Sequence, residues 1–109
     1  MMAQDYVGRV RELNDRFRRN LSGGEVLVTR GVEASGYVAE LLERVRRFDA
    51  FTPDTDPYGE HDFGAVSLRG LDYFWKIDYY DPDLRFHSED KADPTRTRRV
   101  LTVMRADEY

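Results

Sequence analysis

The chain has no cysteine and only two histidines among its 109 residues. Without cysteine, disulfides, thiol catalysis and the common structural zinc sites are excluded, so a metal could be bound only through oxygen and imidazole. No apolar run approaches the roughly 20 residues that a membrane helix needs. The first segment, MMAQDYVGRVREL, carries charges where a secretion signal would be apolar. We therefore expect a cytoplasmic protein that makes no contact with a membrane.

The sequence also lacks the motifs of well-known enzyme classes. It contains no nucleophile elbow, phosphate loop, zinc-finger spacing or metalloprotease helix. A length of 109 residues is typical of one domain with a two-layer core, so residues 1–109 are expected to form a single domain. Charged residues make up 35% of the chain, which predicts a strongly solvated surface.

One long stretch has no basic residue. Five acids and no base lie between Arg47 and Arg69, in a chain whose net charge is -4. They are Asp49, Asp54, Asp56, Glu60 and Asp62. Such a stretch would repel a phosphate backbone and argues against direct binding of nucleic acid. The basic clusters, which are the arginines of the first helix and the run Arg96, Arg98 and Arg99, are interpreted as a solvated helix face and the flank of an edge strand.

The spacing of apolar residues predicts two amphipathic helices. The first has its apolar face at Tyr6, Val10, Leu13, Phe17 and Leu21, and is expected to end at Ser22-Gly23-Gly24. A short strand is predicted over 25–32, and Ser35 is the expected N-cap of the second helix. The apolar face of that helix consists of Val38, Leu41, Leu42, Val45 and Phe48, and its supporting ion pairs are Glu40 with Arg44 and Glu43 with Arg47.

The second half of the chain is typical of strands. Residues 63–68 and 73–80 predict a hairpin around Gly70, and residues 100–104 predict a last strand. The element order is then α-β-α-β-β-β. We expect an α+β fold in which two helices cover one face of a four-stranded, mainly antiparallel sheet. The polar connection 81–98 has no periodicity, and loops of this length are often functional or mobile.

Alternation along the predicted strand 73–80 separates two sets of side chains. Tyr73, Trp75, Ile77 and Tyr79 are assigned to the core. The opposite set consists of Phe74, Lys76, Asp78 and Tyr80. Because two helices cover only one face of such a sheet, the second face is expected to be open or to contact a partner. A homodimer through this face would be the simplest such contact.

Several strings in the chain resemble a known family. They are EHDFG at 60–64, WKIDYYD at 75–81, RVLTVM at 99–104 and the terminal EY, together with LND at 13–15, TRGV at 29–32 and DPYGEHDFG at 56–64. With these strings the chain resembles a small alphaproteobacterial family known only as a domain of unknown function and often carried on plasmids and other mobile elements. The resemblance covers nearly the whole chain. It implies an accessory or counter-defence role and supplies no catalytic residue.

The leading functional hypothesis is a protein-binding module without a cofactor. Its partner would be bound through the second sheet face and through the polar loop after Phe51 that contains Asp54, Asp56 and Glu60, here called the acidic loop. The predicted binding residues are Asp54, Asp56, Tyr58, Glu60, His61, Phe74, Lys76, Asp78 and Tyr80. An acidic protein of this kind can compete with nucleic acid for a basic groove on its partner.

The alternative hypothesis is a metal-dependent hydrolase. Its catalytic residues would be Glu60, His61, Asp62, Lys76 and Asp78, and its metal ligands His61, Asp78 and His87. Antiparallel pairing around Gly70 is expected to bring residues 60–62 and 76–78 together at one end of the hairpin. In this hypothesis, Glu60 or His61 is the general base.

Overall fold

A computed structural model of the chain describes residues 3–109 and shows an α+β fold, as predicted. The elements are α1 (Ala3–Asn20), β1 (Gly24–Val28), α2 (Arg30–Ser35), α3 (Val38–Arg46), β2 (Phe63–Leu68), β3 (Leu71–Tyr80), β4 (Arg98–Arg105) and a final 3-10 turn, η1 (Ala106–Glu108). The strands form one mixed sheet in the order β1-β4-β3-β2. Only the pair β1 and β4 is parallel, so the expected mainly antiparallel sheet is confirmed.

The core lies between the helices and one face of the sheet. All three α-helices contribute to it, together with residues of β2, β3 and β4. Its buried members are Phe17, Val32, Leu41, Val45, Leu68, Tyr73, Trp75, Ile77, Leu101 and Val103. No helix within residues 3–109 combines the length and the apolar character needed to cross a membrane.

Strand β3 confirms the predicted alternation. Tyr73, Trp75 and Ile77 are each at most 3% exposed, while the residues between them are only partly buried. Gly64 pairs with Trp75 across the hairpin, and a Cβ atom at this glycine would lie 2.4 Å from the indole nitrogen. The close packing of the only tryptophan therefore requires glycine on the neighbouring strand.

The prediction of one strand over 25–32 is wrong, because β1 ends at Val28 and a third, short helix follows. Thr29 caps this helix α2: its hydroxyl oxygen accepts a hydrogen bond from Val32 N and its hydroxyl group donates one to Glu108. The prediction that Ser35 begins the second long helix is also wrong. Ser35 is the last residue of α2 and donates a hydrogen bond to the carbonyl oxygen of Val32.

Residues with a left-handed backbone conformation end helix α1 and form the turn of the β2–β3 hairpin. Helix α1 ends at Asn20 because Leu21, ahead of the predicted glycines, takes a φ of 52°. At the hairpin, Arg69 and Gly70 both have positive φ, which is typical of the two-residue turn that joins twisted antiparallel strands. The hairpin predicted around Gly70 is thereby confirmed.

The connection after β3 is held by a series of local hydrogen bonds. His87 forms a β-bridge with Tyr80, and Ser88 N donates to the carbonyl oxygen of Tyr79. Further along, the hydroxyl groups of Ser88 and Thr97 lie 2.6 Å apart. These contacts fold residues 81–97 back onto the end of β3 and place Lys91 close to the sheet.

Candidate functional site

A buried polar cluster lies between α1 and the end of β3, and Asn14 is at its centre. The fully buried amide of Asn14 donates to Glu60 O at 2.9 Å and to the Tyr79 hydroxyl oxygen at 2.7 Å. Its carbonyl oxygen accepts from Arg99 Nε at 2.7 Å. One side chain thus joins α1, the loop before β2, β3 and β4, so these contacts fix the relative positions of the elements.

Two cations complete this polar cluster. Lys91 Nζ lies 2.7 Å from Glu60 Oε2, and the side chain of Glu60 is only 9% exposed. Arg99 donates a second hydrogen bond to the carbonyl oxygen of Lys91. Both cations also lie over the ring of Tyr79, at 5.0 Å for Lys91 and 5.3 Å for Arg99. The negative charge of Glu60 is therefore balanced within the protein and is not directed at an external ligand.

His61 lies beside the cluster between two carboxylates. Its Nδ1 is 2.9 Å from Asp15 Oδ1, and its Nε2 is 3.6 Å from Asp56 Oδ2. Because a carboxylate only accepts, Nδ1 must carry a proton in this contact. The imidazole is stacked on Phe51, with ring centroids 3.7 Å apart and planes 3° from parallel. These contacts hold His61 at a φ of 57°, which is strained for a residue other than glycine.

Arg18 extends this region into the core. Its guanidinium donates to the carbonyl oxygens of Val45 and Arg46 at 2.9 and 3.0 Å, and to Asp15 at 3.2 Å. The two carbonyls belong to the last turn of α3, where Val45 O also accepts from Phe48 N, so Arg18 supplies donors to a helix end. Burial lowers the pKa of Arg18 from its ordinary value, and the hydrogen bond that Arg18 donates to Asp15 opposes that effect.

Two groups of the cluster have raised pKa values. Burial raises the pKa of Asp62, and the nearby carboxylate of Glu60 raises it further. Burial also raises the pKa of Tyr79, with an additional contribution from the charge of Asp62. The Tyr79 hydroxyl donates to Asp62 Oδ2 at 3.2 Å, which is the expected direction for a neutral phenol and an ionised carboxyl. Tyr79 is thus held in its neutral form.

The raised pKa of Asp62 gives a prediction with a definite sign. The pKa of this carboxyl in the folded protein lies above its value of about 3.8 in the unfolded chain. Its contribution to stability is therefore fully present at pH values below 3.8 and is lost as the pH rises through the folded-state pKa. The change Asp62→Asn should therefore raise the melting temperature at pH 7 by a few degrees and have little effect at pH 3. The control is Asp54→Asn, at an exposed site. An equal increase in the melting temperature of Asp62→Asn at pH 7 and at pH 3 would contradict a raised pKa of Asp62.

The structure does not bring the five predicted catalytic residues together. Glu60, His61 and Asp62 lie on the helix side of the sheet, where their partners are described above. Lys76 and Asp78 lie on the opposite face and form an ion pair with each other at 3.1 Å. The sheet therefore separates the two halves of the predicted cluster.

The predicted metal ligands are also apart. Asp78 is paired with Lys76 on the sheet face opposite to His61, and His87 is stacked on the ring of Tyr80 at 5.7 Å. Within residues 3–109, no group of three or more histidine, aspartate and glutamate side chains has the arrangement of a metal site. The contacts of His61 with Asp15 and Asp56 instead join α1 to the loop before β2.

The acidic loop is less exposed than its sequence suggests. The side chain of Asp56 is 6% exposed and accepts a hydrogen bond from His61 N, while Glu60 pairs with Lys91. Gly59 O accepts from Arg11, which places the loop against α1 on the helix side. Of the predicted binding residues in the loop, only Asp54 and Tyr58 are exposed. The loop and the second sheet face are therefore two separate surfaces.

The second sheet face, here called the open sheet face, lies opposite the core to which α1, α2 and α3 contribute. Two residues of β4 on this face, Val100 and Met104, are buried. The exposed and partly buried residues of the face include Leu27 on β1, Thr102 on β4, Phe74, Lys76, Asp78 and Tyr80 on β3, and Phe63 and Ala65 on β2. Phe63, Phe74 and Tyr109 form a three-ring cluster with centroid separations of 5.3 to 6.0 Å. Tyr109 is 73% exposed and Leu27 is 52% exposed.

Three important residues were assigned to the wrong environment or missed from the sequence. Arg18 and Arg99 were interpreted as solvated, yet they are 0% and 4% exposed. Asn14 was not singled out. A signal for two of them exists, because Val10, Asn14 and Arg18 follow one another at the four-residue spacing of a buried helix face. For Arg99, the alternation with buried Leu101 and Val103 on β4 supplies a comparable signal.

The comparison with known families adds an identity but no activity. A family model described as Protein of unknown function (DUF3768) matches residues 28–108, and so includes every element from α2 to η1. Helix α1, with Asn14 and Arg18, lies outside the matched range. No curated protein and no solved structure matches the chain. Because the family model covers far more than half of the residues, the chain belongs to the DUF3768 family.

Proposed function

We propose that this chain is a cytoplasmic protein-binding module that contacts its partner through the open sheet face. The observation that carries the proposal is the three-ring cluster of Phe63, Phe74 and Tyr109 on the face opposite the core to which α1, α2 and α3 contribute. Exposed apolar patches on a solvated protein are typical of interaction sites. Aromatic side chains also supply most of the binding energy at protein interfaces.

The charges of the open sheet face support a protein partner. Lys76 pairs with Asp78, and Arg98 pairs with Glu25 at the border of the face. Each pair contains one acid and one base, so the face carries apolar rings beside nearly balanced charge. A mixture of this kind is typical of the apolar centre and polar rim of a protein interface. A phosphate backbone would instead require an excess of basic side chains.

The finer proposal is a role as an accessory or inhibitor protein of a bacterial mobile element, active against a host or defence protein. Its support is the resemblance of the sequence strings to an alphaproteobacterial family carried on such elements. The net charge of -4 favours a partner with a basic surface, because opposite charges accelerate encounter. Complex formation should then weaken as the salt concentration rises.

The proposal is tested by photo-crosslinking in cells. A benzophenone amino acid is introduced at Thr102, which lies on the central strand β4 and faces the open side between Leu27 and Lys76. The matched controls are the same amino acid at Glu12 on α1 and at Tyr58 in the acidic loop, both of which are exposed. We expect a protein adduct from Thr102 and none from the two controls. Adducts from the controls alone, or no adduct from any site, would contradict the proposed surface.

A further inference from the structure

Strand β2 lies at an edge of the sheet, and its outward backbone groups have no strand partner among residues 3–109. Ile77 N donates to Asp62 O, and the register continues with Gly64 opposite Trp75, so the even-numbered residues direct their backbone groups at β3. The odd-numbered residues Phe63, Ala65 and Ser67 then point outward. The Arg44 side chain confirms this direction, since it donates to Ser67 O from outside the sheet.

The sequence of this edge lacks the usual protection against pairing. Edge strands commonly carry charged residues, prolines or bulges that prevent another strand from adding. The six residues of β2, FGAVSL, contain no charge and no proline. The opposite edge strand β1 carries Glu25, which is paired with Arg98. Ala65 and Ser67 are small and exposed, so a second backbone can approach β2 closely.

The charges around the free edge of β2 favour pairing with a second copy of the same chain over pairing with another protein. The groove beside the strand is formed with α3 and lined by Glu40, Glu43, Arg44 and Arg47. Two acids and two bases give this lining no net charge. In a two-fold symmetric pair, the two α3 helices run antiparallel across the axis, so the acidic first half of one helix lies opposite the basic second half of the other. The surface is therefore complementary to itself.

We propose that two copies of the chain pair through their β2 strands and form one continuous sheet. The strands run antiparallel, with Ala65 of each copy opposite Ala65 of the other and Phe63 opposite Ser67. This register matches every outward N–H group of one strand with an outward carbonyl of the other. The pairing goes beyond the proposed function and does not depend on it, although it would place two open sheet faces side by side.

The first test measures the mass of the chain by sedimentation at increasing concentration. We expect a species of twice the 12.8 kDa chain mass. The change Ala65→Lys sets two like charges opposite each other at the symmetry axis and should weaken the dimer at least ~10-fold. The matched control Leu27→Lys adds the same charge to the same sheet face at the other edge strand and should leave the dimer intact. A monomer at all concentrations, or a dimer that only Leu27→Lys disrupts, would overturn the proposal.

A second test uses the unchanged chain, so its result does not depend on whether a variant folds. Hydrogen exchange at the amides of Phe63, Ala65 and Ser67 should slow as the protein concentration rises, because pairing protects them. Exchange at Trp75, which is already within the sheet, should not depend on concentration. If a dimer forms without this protection, or if the amides of β2 become protected only when another protein is added, the second copy is not the occupant of β2.

Discussion

Replacing Arg18 by methionine should lower the free energy of unfolding by about 3 kcal/mol. The change removes the hydrogen bonds that Arg18 donates to Val45 O, to Arg46 O and to Asp15, although Val45 O still accepts one from Phe48 N. It also removes the cation that lies over the rings of Phe51 and Trp75. Methionine also saves the cost of burying a charge, and this saving is real because burial lowers the pKa of Arg18. The lost hydrogen bonds to Asp15 and to the two carbonyl oxygens outweigh it, since hydrogen bonds of charged groups contribute about 1.5–3 kcal/mol each.

The neighbouring arginine provides the control for this experiment. Arg19 is 65% exposed, and its nearest carboxylate oxygen on Asp15 is 4.0 Å away. The change Arg19→Met should therefore cost less than ~0.5 kcal/mol. Urea unfolding followed by the fluorescence of Trp75, the only tryptophan, measures both effects. Equal losses for the two variants would show that Arg18 is not the buried donor described here.

Replacing Asn14 by leucine should have an effect of similar size, about 3 kcal/mol. Leucine has nearly the same shape but neither donates to Glu60 O and Tyr79 nor accepts from Arg99. The Arg99 guanidinium, which is almost fully buried, would lose one of its two acceptors. Because the loss includes a buried charged donor, the cost lies above that of an ordinary hydrogen bond.

Asn20, at the exposed end of the same helix, is the matched control. Within the described part of the chain its amide donates only to the carbonyl oxygen of Arg16, so Asn20→Leu should change stability by less than ~0.5 kcal/mol. Chemical unfolding and circular dichroism of both variants test the difference. If Asn14→Leu is as stable as the control, the polar cluster does not hold α1 against the sheet.

Local patterns were sufficient to predict the elements that bury one face. The alternation in β3 and the spacing of Leu41 and Val45 in α3 repeat the geometry of a strand and a helix, and both sets are buried as expected. The ion pairs Glu40 with Arg44 and Glu43 with Arg47 are also present, at 3.9 and 2.7 Å. In each case the residues that form the pattern lie within a few positions of one another in the sequence.

The positions that were predicted wrongly from the sequence are determined by contacts between residues far apart in the chain. Thr29 begins a helix instead of continuing a strand because it is held by Glu108, 79 residues away. Arg99 is buried because Asn14, 85 residues away, accepts its hydrogen bond. His61 is held by Asp15 on α1, and so it lies on the other side of the sheet from Lys76. Periodicity assigns a residue to a face, but it does not identify the residue that will lie opposite.

The central claim is that the chain functions through its open sheet face, and that the buried polar cluster around Asn14 and the neighbouring His61 support the fold. The most direct test measures the affinity of two variants for the protein that crosslinks to Thr102. The change Phe74→Ser removes one of the three rings of the aromatic cluster and should weaken binding at least ~10-fold. The change His61→Asn removes the imidazole, and asparagine tolerates the left-handed backbone, so binding should remain within about twofold of the unchanged chain. Loss of binding in His61→Asn with full binding in Phe74→Ser would contradict the claim.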